Sequence, residues 1–213
     1  SGSAANLTVA ISGTLYASAG ATFNANITAG NISSTGAVNY GGSLSTTLGF
    51  INLGQGSRVS DSVNTTTGTI TLFGGTSSSY TTVGSVKSSG GLLLNSYNQV
   101  LGTTTAAYVA GASNNTLGGA VVATASYVSF GDHATVNGDV SAQTYVYTGL
   151  YANVQGNITA TTLQVDTAGY STVTGSITAN GTYVNLGWYT TVGGPIVATS
   201  YVDTGSHSSV GGD

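Results

Sequence analysis

One line of sequence recurs along this chain: VNGDVSAQ at 136–143, VQGNITAT at 154–161 and VTGSITAN at 173–180. Around it lie pairs of aliphatic residues eight apart: Leu92/Val100, Val109/Leu117, Val128/Val136, Val146/Val154, Val165/Val173, Val184/Val192 and Val202/Val210. Successive pairs are 17 to 19 residues apart. Two residues after the second member comes Gly (Gly102, Gly119, Gly138, Gly156, Gly175, Gly194, Gly212). An aliphatic usually follows two later (Val121, Val140, Ile158, Ile177, Ile196), and then Ala (Ala106, Ala123, Ala142, Ala160, Ala179, Ala198). Apolar or small residues at every second position, with Thr, Asn, Ser and Gln between, define strands with one buried face. A unit this short cannot bury that face alone, but stacked units share a core.

The fold predicted is all-β: one parallel β-solenoid over 1–213 with about eleven coils of 17–20 residues. Coils in 92–213 are regular and those in 1–91 irregular. At about 4.8 Å per coil the rod is about 50 Å long. Upstream, Leu15/Phe23, Ile32/Tyr40 and Ile51/Val59 carry the pattern, GGTSSS after Leu72 reads as an insertion, and Thr82, Gly84, Val86 and Ser88 resume it. Large and small residues alternate as a thin, flat interior with interdigitating walls would require. Gly131, Gly149, Gly187 and Gly205, each three after a first-column Val, are expected in turns of positive φ. An antiparallel sandwich would place its Asn-Gly turns at one point of the repeat; Asn137-Gly138 and Asn180-Gly181 sit at different points.

Composition narrows function. Arg58 and Lys87 are the only basic side chains, net charge is −4, and charged residues make up 4 % of the chain. There is no phosphate-tracking surface, so nucleic acid is excluded as a partner. No apolar run is long enough for a membrane span. The start, SGSAANLTVA, reads as a mature N-terminus whose leader is already removed. Absence of Cys rules out a disulfide framework and says little about compartment; without Met or Glu and with few tryptic sites, the chain is expected to be secreted to the cell surface or beyond. Seven sequons (Asn6, Asn26, Asn31, Asn64, Asn114, Asn157, Asn180) are hardly more than chance supplies.

Two further columns are aromatic. Tyr108, Tyr127, Tyr145, Tyr183 and Tyr201 each precede a first-column Val, with Gln164 as the exception. Five residues after that column lie Tyr97, Asn114, His133, Tyr151, Tyr170, Tyr189 and His207. They form ladders that stack on themselves, or a stripe that adheres to sugar, mineral or a neighbouring rod. Catalytic chemistry is poorly served. His133 and His207 stand four coils, about 19 Å, apart. Asp166 and Asp203, with Asn185 between, are about 10 Å apart, too far for a hydrolytic carboxylate pair. Calcium at those three is conceivable on ligand type alone. No enzyme activity, metal or cofactor is expected.

The quoted lines resemble repeats of secreted β-solenoid surface proteins of the filamentous-haemagglutinin and autotransporter-passenger type, and of polymer-forming bactofilins. The resemblance is architectural and covers about 90–213; low charge argues against the bactofilin branch. It implies surface display, adhesion or self-assembly, and carries over no individual residue.

The leading expectation is a structural subunit of an extracellular filament whose partner is itself. An adhesin segment is the alternative. Ice binding ranks lower, because the column Thr22, Asn39, Arg58, Thr81, Gln99, Thr116, Thr135, Asn153, Thr172, Thr191, Ser209 is interrupted. Leu7, Val9, Ile11 and Gly13 match the second half of a repeat, and Val202, Val210 and Gly212 the first half, before Asp213. Head-to-tail stacking would join the halves into an open filament. Pro195, which removes a donor near one end, is contrary evidence.

Overall fold

A computed structural model describes residues 7–212; Asn6 and Asp213 lie outside it. Its 29 strands pair in parallel, no helix occurs among the described residues, and the chain winds through eleven coils of a β-solenoid. Each coil contributes one strand segment to each of three ladders. The first runs Leu15, Ile32, Ile51, Ile70, Leu92, Val109, Val128, Val146, Val165, Val184, Val202. The second runs from Phe23 and Tyr40 to Val192 and Val210. The third runs from Val9 and Ile27 through Val140, Ile158 and Ile177 to Ile196.

Three ladders enclose the core, not two opposed walls. The flat interior expected from alternating residue sizes is replaced because each coil turns at three corners. Away from the ends the three columns are almost wholly buried. Side-chain volumes compensate between coils: Gly111 lies beside Phe130 in the first ladder, and a Cβ at Gly111 would sit 3.6 Å from that ring. Such columns stabilise by about 1.5–3 kcal/mol per fully buried aliphatic side chain, against the entropy of ordering it.

Near Thr82 the expected inside–outside phase is shifted by one residue. Val83 is the buried column member, pairing Val59 and Val100, while Thr82 pairs Arg58 and Gln99. Thr81, placed in the outer Thr column by spacing, is buried and bonds inward to the Gly74 carbonyl. The cause is local: register slips between Val59 and Ser62, and Thr76 and Ser79 form a small antiparallel bridge in the insertion.

Asn and Asp at the corners clamp successive coils. Asp139 Oδ1 accepts the Asn157 N–H at 2.7 Å, Asn157 Oδ1 accepts that of Ser176 at 2.9 Å, and Asp132 Oδ1 accepts that of Leu150 at 2.8 Å. Pro195 occupies the corner position that Asn157 and Ser176 hold in the coils before it, where the backbone N–H goes to a side chain. Its missing donor therefore costs no backbone ladder bond, and its carbonyl still accepts from Ile177 at 3.1 Å.

Candidate functional site

The corner between the first and second ladders has an unusual backbone. Tyr97, Asn114, His133, Tyr151, Tyr170, Tyr189 and His207 all have φ between 56° and 64°. In the first four coils the same corner is held by Gly20, Gly36, Gly56 and Gly74, also of positive φ. This corrects the expectation for Gly131, Gly149, Gly187 and Gly205, which are not left-handed. They are small because coils nearly touch there: a Cβ on Gly131 would lie 2.6 Å from the Ala112 carbonyl carbon, and one on Gly205 2.6 Å from that of Gly187.

A left-handed turn costs an ordinary residue about 1–2 kcal/mol. Here the side chains offset it by stacking. The rings of His133, Tyr151, Tyr170, Tyr189 and His207 form one continuous pile, with centroids 4.6–5.0 Å apart and planes within 16°. Tyr97 meets only Tyr80, edge to face at 6.0 Å. Tyr170, stacked on both sides, gives a direct test. Tyr170→Ala removes two ring contacts and keeps the strained turn, so it should lose about 1–3 kcal/mol. Tyr170→Gly removes the contacts but relieves the turn, and should lose about 1 kcal/mol less than the Ala variant. Urea titrations of the two variants check the order.

The second aromatic column has two parts. Tyr108, Tyr127 and Tyr145 stack at 5.5 and 5.0 Å, and Tyr183 and Tyr201 at 5.0 Å, with Gln164 dividing them. The Tyr108 ring lies over Gly91, where any Cβ would collide with it. Burial pushes the Tyr145 and Tyr183 phenols above their ordinary range; Tyr127 adds to the first, and Asp166, then Tyr201, to the second. Asp166, Asn185 and Asp203 are successive rungs of the outer surface beside this column. No group of three or more His, Asp, Glu or Cys residues that could hold a metal occurs among the described residues.

Sequence reasoning missed a buried polar column that follows the left-handed corner: Ser57, Thr81, Asn98, Asn115, Ser171 and Thr190. Asn98 Nδ2 donates to Asn115 Oδ1 at 3.2 Å, and Asn115 Nδ2 to the Ala112 carbonyl at 2.7 Å; Ser171 Oγ donates to the Gly149 carbonyl at 3.0 Å. These groups occupy acceptors that the turn leaves inside, where an unpaired one would be costly. Asn98, Asn115, Ser171 and Thr190, each directly after a left-handed corner residue, were the available signal, interrupted by Ala134 and Ala152 after His133 and Tyr151.

At the two ends of the described rod the core columns are open. Leu7 and Val9 are 62 % and 40 % exposed, and Val202 and Val210 are 42 % and 40 % exposed. Ile11 is partly buried, and Gly212 lies against Pro195. Both terminal coils carry strand segments of all three ladders, so neither is the half coil that spacing suggested. Counting from the first-ladder Val had cut the coils at an arbitrary point. No protein family matches this chain, and neither a curated protein nor a solved structure is significantly similar to it.

Proposed function

We propose that this chain is a structural subunit of an extracellular filament, lengthened by stacking solenoid on solenoid through the terminal coils. The observation that carries this reading is the matched phase of the two open ends. Seated head to tail, a second copy would place Val9 against Ile196, Leu15 against Val202 and Phe23 against Val210, continuing the three columns that run through the rod. Such a contact is heterologous and does not close, so it propagates. With 4 % charged residues, little repulsion opposes it. The absence of Met and the scarcity of tryptic sites support a durable life outside the cell.

Electron microscopy and light scattering of purified protein test it. The unmodified chain should form long, thin, unbranched fibres. Val202→Asp combined with Val210→Asp puts two charges on the half-exposed last rungs of the core columns, and should leave short particles whose circular dichroism spectrum stays strand-rich. Unmodified protein that stays monomeric at high concentration overturns the filament reading.

A further inference from the structure

We propose that the outer surface of the first ladder in the C-terminal coils is a binding site for a linear, neutral, β-linked polysaccharide lying along the rod. The inference is independent of filament assembly. Three observations on this surface converge.

The first is its hydrogen-bonding row. Asp166, Asn185 and Asp203 follow one another coil by coil; Asp166 and Asn185 point outward between buried neighbours, and Asp203 is exposed on the last coil. Unlike the clamping Asp132, Asp139 and Asn157, none of their side chains makes a hydrogen bond among the described residues. An amide between two carboxylates is a set of acceptors and donors suited to vicinal hydroxyls.

The second is its aromatic borders. Tyr183 and Tyr201 flank the row on one side, and the pile containing Tyr170 and Tyr189 forms the corner on the other. Stacked rings offer edges and phenolic hydroxyls, repeated every 5.0 Å. That is about the length of one sugar ring in an extended chain, so one ring per coil keeps step with the protein. Trp188 stands outside the pile and is 67 % exposed, next to the gap that Gly169 leaves between it and Leu150. Its indole is a free apolar face of the kind that receives the C–H face of a pyranose.

The third is charge. Arg58 and Lys87, the chain's only cations, lie on other ladders in earlier coils. Two carboxylates on the surface itself repel an anionic glycan or nucleic acid, which leaves a neutral polymer.

Trp188 is the only tryptophan, so its fluorescence reports on this surface alone. Cello-, xylo- and chito-oligosaccharides of two to six units are titrated against that emission, and retention on cellulose and chitin is measured by co-sedimentation, with heparin as the anionic comparison. At least one neutral series should shift the emission, with the trimer binding several-fold tighter than the dimer as the third coil engages and little further gain beyond it. Trp188→Ala and Asn185→Ala, both at exposed positions, should each lower retention about tenfold while melting like the unmodified protein. The proposal is overturned if no neutral series moves the emission and neither solid retains the protein. Retention that survives both substitutions, or preferential binding of heparin, overturns it equally.

Discussion

Ile158→Asp should abolish the cooperative thermal transition or lower it drastically, whereas Thr159→Asp, one residue away, should leave it nearly in place. Ile158 is wholly buried between Val140 of the coil below and Ile177 of the coil above. A carboxylate there has no cation to meet, since the chain's two are Arg58 and Lys87. The cost has two parts: the lost aliphatic contacts, about 2–5 kcal/mol, and the desolvation of an acid that must take up a proton to stay inside. Together they are comparable with the whole stability of a domain. Thr159 points outward between Ser141 and Thr178, and a charge at that position stays in water. Differential scanning calorimetry of the two variants decides it; equal effects would reverse the assignment of inner and outer faces.

Gly156→Val should be nearly as damaging, for a reason unrelated to hydrophobicity. A Cβ at this corner would lie 2.6 Å from the Asp139 amide nitrogen and 2.5 Å from Asp139 Oδ1. The obstacle is mostly backbone of the coil below, so no rotamer change can clear it. The coils must separate locally, and the 2.7 Å clamp from Asn157 N to Asp139 Oδ1 is lost with them. Overpacking of this kind costs about 1–3 kcal/mol, and more where backbone blocks relaxation. Gly13→Val is the control, because a Cβ there meets nothing within 4 Å and its φ is not positive. Chemical denaturation should show a large loss for the first substitution and almost none for the second.

The fold was legible because each coil repeats one instruction. Val at one column, Gly two residues on and Ile two further on recur at nearly constant spacing, and only a stack satisfies them together. Three things were not legible in that pattern. The number of faces was hidden, because alternation specifies inside and outside but not where the chain turns. The phase at Thr82 was wrong by one, since a slip in one strand is invisible to spacing until Val83 finds its partners. The left-handed corner was assigned to glycines by propensity, whereas Tyr151, Tyr170 and Tyr189 adopt it because their rings stack. The aromatic columns themselves were plain in the sequence. Their geometry was not, and neither was the isolation of Trp188 beside them.

The change from glycine to ring at that corner gives the rod a mechanical grain. In the four coils from Gly20 to Gly74 the turn is relaxed in itself, so each coil behaves like a link that can part from its neighbour. From His133 to His207 the turn is tense by itself and comfortable only beneath another ring. Peeling away one of those coils leaves its neighbour strained and bare together, so the segment resists as a unit, like the closed teeth of a zip. Pulled from both ends, such a molecule yields first in its glycine-cornered third, while its ringed portion stays whole.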